Sequence, residues 1–182
     1  MLHIRSFETT DSIEEITLLL HRAYAHLGDI GLNYTAVDQS SDVTANRIRR
    51  GTCYVATVGS NFIGTIVVQP TNTESECFYF TQPGVACANQ FAVAPEYQRN
   101  GFGSGLLLCA EIWARENGFS HLAVDTAEPA THLIEFYNRR GYHHVDWVQW
   151  TGKNYRSVVL SKALDDIADQ RTQFRIENDC NM

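Results

Sequence analysis

A short segment in the middle of the chain combines residues that could bind an anion: Ala94-Pro-Glu-Tyr-Gln-Arg-Asn-Gly-Phe-Gly-Ser-Gly105. Its glycines, at 101, 103 and 105, stand where an apolar run typical of a strand gives way to a run typical of a helix. Glycine is costly at the start of a helix, so this composition favours a close approach of some group to the backbone. The first N–H groups of a helix lack internal partners and bind phosphate groups well. The segment therefore predicts a phosphate-binding turn.

The spacing of the glycines separates the kinds of phosphate-binding turn. A P-loop requires Gly-x-x-x-x-Gly-Lys-Ser/Thr, and this turn has no lysine. A dinucleotide-binding fingerprint, Gly-x-Gly-x-x-Gly, counted from Gly101 would need a glycine at position 106, where this chain has Leu106. Such a fingerprint also lies at the start of a doubly wound sheet, whereas this turn follows a predicted hairpin. A turn that serves only tight packing between a strand and a helix is the structural alternative.

The elements that must position this turn follow from hydrophobic periodicity and from helix-capping and turn residues. Apolar and alternating runs predict strands at 2–7, on both sides of a turn at 59–61, and at 85–93, 120–126, 143–150 and 155–161. Apolar residues at helical spacing predict helices at about 9–28, 42–50, 105–118 and 129–141. Ser12 and Glu15 have the spacing of a capping box at the start of the first helix. The order indicates one mixed α/β structure with a strand–turn–helix unit at its centre.

Composition limits the classes of function. The chain has 182 residues and a net charge of −7, so nucleic acid and anionic membrane surfaces are not expected partners. Five cysteines form no C-x-x-C pair, and no histidine pair has metal-ligand spacing, which favours reduced thiols and no metal site. No apolar leader or long apolar stretch is present, so we expect a cytoplasmic location.

The segment Gln98-Arg-Asn-Gly101-Phe-Gly103 fits the pattern Gln/Arg-x-x-Gly-x-Gly/Ala, and on this motif the chain resembles the GNAT superfamily of N-acetyltransferases. The resemblance extends upstream into "FAVAPEYQ" and downstream into "LIEFYNRRGY", which is similar to the family's Ala-x-x-Leu-Tyr-x-x-x-Gly-Phe segment. It implies a GNAT fold over about residues 2–160: a mixed, mostly antiparallel sheet of about seven strands flanked by about four helices. Residues 1–162 would be the N-acetyltransferase domain and 163–182 a C-terminal tail.

The resemblance implies acetyl-CoA as cosubstrate, bound by main-chain groups. The strand before the turn would be splayed from its neighbour and pair with pantetheine through Phe91, Ala92 and Val93, with the N–H of Phe91 near the thioester carbonyl. The pyrophosphate would lie over the glycine turn, on Gln98, Arg99, Asn100, Gly101, Phe102, Gly103 and Ser104.

The resemblance also assigns catalytic roles. Tyr137 matches the family tyrosine that protonates the departing thiolate, although a core aromatic is the alternative. Asp125 stands where some relatives carry a general base, although an aspartate that caps a turn is the alternative. Other relatives have a glutamate on the central strand, where this chain has Cys87. The family's pantetheine-binding asparagine is replaced by Ala130, which leaves Thr131 or His132 as substitutes.

Together these features predict direct acetyl transfer from acetyl-CoA to a primary amine in a ternary complex; a non-catalytic acyl-CoA-binding sensor is the alternative. We expect specificity to lie in 29–41, 70–84 and 143–160, with Tyr34 as a substrate-binding candidate and Asp38, Glu76 and Trp147 as further ones. A small-molecule amine and a peptide amine are both open as acceptors, and the acidic charge weakly favours a cationic one. A homodimer is also open.

Overall fold

Seven strands form one sheet in the computed structural model, which describes residues 2–165. They are β1 (Leu2–Ser6), β2 (Thr52–Val58), β3 (Asn61–Gln69), β4 (Val85–Val93), β5 (His121–Ala127), β6 (His143–Val148) and β7 (Ser157–Ala163). The spatial order is β1-β2-β3-β4-β5-β7-β6, and every neighbouring pair is antiparallel except β4 and β5. This confirms the predicted mixed, mostly antiparallel sheet.

The helices within residues 2–165 are α1 (Ile13–Asp29), α2 (Thr35–Asp38), α3 (Ser41–Arg49), α4 (Phe102–Glu116) and α5 (Thr131–Asn138). The prediction of about four helices is one short, because the four-residue α2 lies in a stretch expected to be irregular. At the start of α1 the Ser12 hydroxyl accepts a hydrogen bond of 3.2 Å from the Glu15 N–H, as its capping spacing indicates. Helix α1 passes the predicted stop at Gly28 and ends beside Gly31, whose φ is +88°.

The helices divide between the two faces of the sheet. We call one side the α4 face, because α4 and α5 pack there against Ile66, Ala88 and Val124. The other side is the α1 face, where α1 and α3 pack against Val55, Val67 and Ala92. Burial of both apolar faces makes the sheet the centre of the core and leaves the strand ends to carry polar chemistry.

The predicted 1–162 domain boundary stays a prediction, and most of the predicted tail at 163–182 lies outside the described residues. Within residues 2–165 no helix is both long enough and apolar enough to cross a membrane. Over the same residues no group of three or more His, Cys, Asp or Glu side chains converges to hold a metal ion.

Candidate active site

Strands β4 and β5 separate soon after they begin. Their parallel pairing covers Val85–Cys87 against His121–Ala123 and goes no further within the described sheet. On its other edge β4 carries a bulge, because the pairs Thr65–Ala92 and Val67–Asn89 leave one residue of β3 opposite two of β4. Gln90, one of the two, has a φ of +48°. The second half of β4 is thereby re-aimed, and a gap opens between it and β5.

The gap opens into a cavity of about 1200 Å³. Residues from α4 and α5 line one side, and residues from the C-terminal half of α1 line the other. The predicted site residues in its wall are Phe91, Ala92, Val93, Gln98, Arg99, Gly101, Gly103, Ser104, Asp125, Tyr137 and Tyr34. The sequence-predicted residues therefore converge on one cavity, although they come from five separate segments of the chain.

Two predicted residues of the turn lie outside the cavity wall. The Asn100 side chain donates hydrogen bonds to the carbonyls of Tyr97 and Gln98, at 3.4 and 3.1 Å. The Phe102 ring packs against the Tyr97 ring, with 6.0 Å between centroids. Both side chains hold the shape of the turn, so any contribution to a ligand would come from their main-chain N–H groups.

Each glycine of the turn is required for a different physical reason. Gly101 is the N-cap of α4 with a φ of +87°, and no side chain caps the first N–H groups of the helix. A Cβ on Gly103 would lie 3.4 Å from the Phe91 ring, on the cavity wall. A Cβ on Gly105 would come within 2.8 Å of Ile4 on β1, so this glycine serves packing rather than ligand approach. The turn thus offers uncapped donors and an open approach, which is the condition for an anion site.

Phe91 connects the splayed strand to the two helical walls. Its carbonyl accepts a hydrogen bond of 2.9 Å from the Tyr24 hydroxyl on α1. Its ring packs against the Tyr137 ring on α5, with 6.3 Å between centroids. The backbone proposed to meet a thioester is therefore held from both sides of the sheet.

Tyr137 is buried against Phe91, Phe136 and Tyr142 and lines the cavity. Burial raises the pKa of its phenol well above the ordinary value, and the Tyr24 and Asp125 side chains add to the shift. The phenol therefore keeps its proton at neutral pH. A protonated hydroxyl on a residue that lines the cavity can serve as a proton donor.

Asp125 lies on β5 just beyond the last pair with β4. Its carboxylate accepts a hydrogen bond of 2.8 Å from the Trp150 indole N–H. Burial raises the pKa of Asp125, and the Trp150 hydrogen bond opposes the shift. The nearby Cys87 thiol has its pKa raised to about 12 by burial, and the Asp125 charge adds to that shift. Asp125 is therefore the better proton acceptor of the two.

Three segments expected to set specificity are tied together near this gap. The Tyr34 hydroxyl lies 2.8 Å from the Thr126 hydroxyl and accepts a 2.8 Å hydrogen bond from the Ala127 N–H. Asn33 donates to the carbonyl of Gly152 at 2.9 Å. Segment 70–84 is joined to segment 143–160 through Glu76, which accepts hydrogen bonds from the Thr151 N–H and hydroxyl at 2.9 and 2.8 Å. Glu76 therefore ties segment 70–84 to the turn between β6 and β7.

Two functional candidates were missed from the sequence. Arg140 lines the cavity and donates to the Ser104 hydroxyl through Nε and Nη2, at 3.1 and 2.5 Å, while its guanidinium stacks over the Phe136 ring at 3.6 Å. It therefore places a cation beside the first turn of α4. Tyr24 is the second candidate, because it lines the cavity and binds the Phe91 carbonyl. Its position in an amphipathic helix gives no sign of this contact in the sequence.

Comparison with known proteins gives consistent results. The sequence profile described as the Acetyltransferase (GNAT) family matches residues 13–142. The S-(2-succino)cysteine N-acetyltransferase of Bacillus subtilis (strain 168) is 28% identical over 153 residues, which are 83% of this chain and 90% of that protein.

Solved structures share the fold at lower sequence identity. The PaiA N-acetyltransferase of Thermoplasma acidophilum, in complex with coenzyme A, superposes with a TM-score of 0.69 at 16% identity, over 90% of this chain and 99% of that one. A GNAT family acetyltransferase of Elizabethkingia anophelis with acetyl-CoA bound gives 0.64 at 19% identity, over 90% and 98% of the two chains. The likeness covers nearly all of the described residues.

Proposed function

This chain belongs to the GNAT family of acetyltransferases, and we propose that it moves an acetyl group from acetyl-CoA to a primary amine by direct transfer in a ternary complex. The observation that carries the proposal is the gap between β4 and β5, which brings the uncapped turn, Phe91, Tyr137 and Asp125 to one cavity. The cavity has walls from both faces of the sheet, so a cosubstrate and an acceptor have separate routes to the same point.

The residues present fit coenzyme A. The main-chain N–H groups of 98–104 and the Arg140 guanidinium would hold the pyrophosphate, since a helix N-terminus and an adjacent cation both favour phosphate oxygens. Phe91, Ala92 and Val93 would offer backbone groups to the pantetheine arm, because β5 has left that edge of β4. Acetyl-CoA when bound would supply an acetyl carbon activated by its thioester.

The protein's own groups then handle the protons. Asp125 would take a proton from the acceptor ammonium, and the neutral amine would then attack the acetyl carbon; Tyr137 would give its proton to the departing sulfur as the C–N bond forms and the C–S bond breaks. The N–H of Phe91 would polarise the carbonyl oxygen. Direct transfer is favoured over an acetylated Cys87 because the raised pKa of this thiol, about 12, keeps it protonated and weakly nucleophilic.

The acceptor proposed for the first assay is a small-molecule amine. Support comes from the Bacillus subtilis relative named S-(2-succino)cysteine N-acetyltransferase, of which the matched residues make up 90%. A peptide amine is the second acceptor to test. S-(2-succino)cysteine itself, amino acids, polyamines and a peptide with a free N-terminus make up the panel.

The test combines calorimetric titration with a thiol-release assay. Acetyl-CoA and coenzyme A are expected to bind with micromolar affinity, while NADH gives no heat; release of free thiol is expected only when an acceptor amine is added. No binding of acetyl-CoA to the folded protein would refute the proposal. Tight binding without transfer to any amine of the panel would favour the acyl-CoA sensor instead.

A further inference from the structure

Arg47 on α3 is partly buried and has no counter-ion within residues 2–165. Of the other partly buried arginines, Arg5 forms an ion pair with Asp11 at 2.6 Å, and Arg140 donates hydrogen bonds to the Ser104 hydroxyl. The guanidinium of Arg47 makes no ion pair or hydrogen bond with any described residue. Burial lowers the pKa of Arg47, and the electrostatic effects of Tyr24, Asp125 and Tyr155 oppose the shift. A desolvated guanidinium without an anion is costly, so its retention calls for a partner.

Arg47 lies on the α1 face, above the point where β4 and β5 separate. Its carbonyl accepts a hydrogen bond of 3.1 Å from the Gln69 side chain, and Gln69 pairs with Cys87. Cys87 forms the last pair of the splayed strands with Ala123. Because side chains alternate along a strand, Asp125 lies on the same face as Ala123, two residues further into the gap. The Arg47 guanidinium is close enough to Asp125 for each to shift the pKa of the other.

Asn89 adds an acceptor atom on the same face. It lies on β4 opposite Val67, two residues beyond Cys87, where the strand has left β5. Its side-chain Oδ1 is buried and has no hydrogen-bond donor among the described residues. An unpaired buried carbonyl oxygen costs free energy, so a ligand N–H at this place would relieve it.

We infer that the acceptor amine carries a carboxylate, that Arg47 binds this carboxylate on the α1 face, and that Asn89 and Asp125 receive the amino group. This inference rests on the proposed function and names its substrate class as α-amino acids or closely related amino carboxylates. A guanidinium presents paired donors to a carboxylate, while an amide oxygen and a carboxylate together accept from an ammonium. Donors at one end and acceptors at the other match a zwitterion.

The surrounding charge supports an anion near Arg47. Lys153, in the turn between β6 and β7, donates to the Asn33 carbonyl at 2.7 Å. Burial lowers the pKa of Lys153, the charge of Arg47 lowers it further, and the charge of Asp38 opposes the shift. Two cations that disfavour each other's charge gain from a shared anion.

The test compares each natural L-amino acid with its carboxamide as acceptor in the thiol-release assay. The pair differs only in the carboxylate, and the carboxamide's amine loses its proton more readily, so amine basicity cannot produce a preference for the acid. For the amino acid that reacts fastest, kcat/KM is expected to exceed that of its amide by about 100-fold. Arg47→Met should reduce this ratio to within about threefold, Arg47→Lys should restore part of it, and acetyl-CoA affinity should not change.

Arg50→Met is the matched control, because Arg50 is exposed at the end of the same helix and should leave the ratio intact. Equal use of acids and amides by the wild-type protein overturns the inference without touching the proposed function, and so does a ratio that survives in Arg47→Met. Transfer to amines that lack a carboxylate, with none to amino acids, overturns it as well. The wild-type comparison decides the matter even where Arg47→Met fails to fold. Failure of acetyl-CoA to bind marks the separate failure of the proposed function.

Discussion

The hydroxyl of Tyr24 donates a 2.9 Å hydrogen bond to the main-chain carbonyl of Phe91, and so joins α1 to the splayed half of β4. This bond holds the backbone immediately after Gln90, whose φ of +48° is unusual for a residue with a side chain. The position of the Phe91 N–H beside the cavity therefore depends on a residue from a distant helix.

Tyr24→Phe should lower kcat about tenfold and the free energy of unfolding by about 1–2 kcal/mol, because the Phe91 carbonyl loses its donor. Urea unfolding and steady-state thiol release measure the two effects. Tyr79→Phe is the control, since it removes a hydroxyl that bonds Ser161 at 3.1 Å outside the cavity. Unchanged kcat in Tyr24→Phe would mean that Phe91 is held without it.

Tyr137→Phe should lower kcat by about 100-fold with little change in acetyl-CoA affinity, because the variant keeps the ring and loses the proton donor. Calorimetry and stopped-flow thiol release separate binding from transfer. Since burial raises the pKa of Tyr137 well above its ordinary value, the wild-type rate should show no loss from its ionisation near pH 9. Full turnover in the variant would remove Tyr137 from the mechanism.

Asp125→Asn should lower kcat by about 100-fold at neutral pH, because the amide cannot take a proton. The wild-type rate should rise with pH through the raised pKa of Asp125, and the variant should lack this rise. Glu128→Gln, an exposed change just past the end of β5, should leave the profile intact. A pH–rate profile that is unchanged in Asp125→Asn would assign the base elsewhere.

The same aspartate should affect stability in a defined direction. Its folded-state pKa is raised, so the stability it contributes is present below the ordinary aspartate pKa and is lost as pH rises through the folded value. Asp125→Asn should therefore gain stability relative to the wild type as the pH rises from about 4, the ordinary aspartate pKa, through the raised folded-state pKa. Urea unfolding across this range measures the difference, and a gap that narrows with rising pH contradicts the assignment.

Arg140→Ala should weaken acetyl-CoA binding about tenfold and reduce its salt dependence, because the cation beside Ser104 is lost. Arg115→Ala is the matched control. Arg115 is exposed in the last turn of α4, whereas Arg140 contacts the first turn of that helix. Equal affinities for the two variants would show that the main-chain N–H groups alone hold the phosphates.

Lys162→Met should destabilise the fold by about 3 kcal/mol, because it leaves the buried carboxylate of Glu111 without its 2.9 Å ion pair. Adding Glu111→Gln should recover much of the loss, since an amide can still accept the Tyr142 hydroxyl hydrogen bond of 3.0 Å. Glu135→Gln, which breaks an exposed pair with Arg139, should change stability by less than about 0.5 kcal/mol. Additive effects of Lys162→Met and Glu111→Gln on the free energy of unfolding would contradict an energetic coupling between the two side chains.

The fold was largely predictable because local rules agree with tertiary packing. The run at 85–93 was expected to be a central strand, and β4 is the fourth of the seven strands in the sheet. Helix α1 ends at Asp29, one residue past the predicted end at Gly28, and begins at Ile13, about four residues after the predicted start. The four-residue α2 escaped prediction because one helical turn has too little periodicity to detect.

The site was predictable only where its residues share a local motif. The turn at 98–104 and Tyr137 lie in recognisable segments, whereas Tyr24 lines the cavity from α1 and Arg47, inferred to bind the acceptor, lies on α3. Nothing in their local sequence distinguishes Tyr24 from a packing residue or Arg47 from a solvated one. The bulge at Gln90 was equally hidden, because a bulge is a property of strand pairing rather than of composition.

That bulge has a consequence for how the sequence can change over evolution. Phe91 and Val93 pack on the α4 face while Ala92 packs on the α1 face, an alternation that holds only because β4 carries one residue more than β3. Deletion of that single residue would send every later side chain of the strand to the opposite face. A substitution at one position of β4 changes only one side chain and leaves the others on their faces. Descendants of this chain should therefore accept replacements at position 90 far more readily than a change in the length of β4.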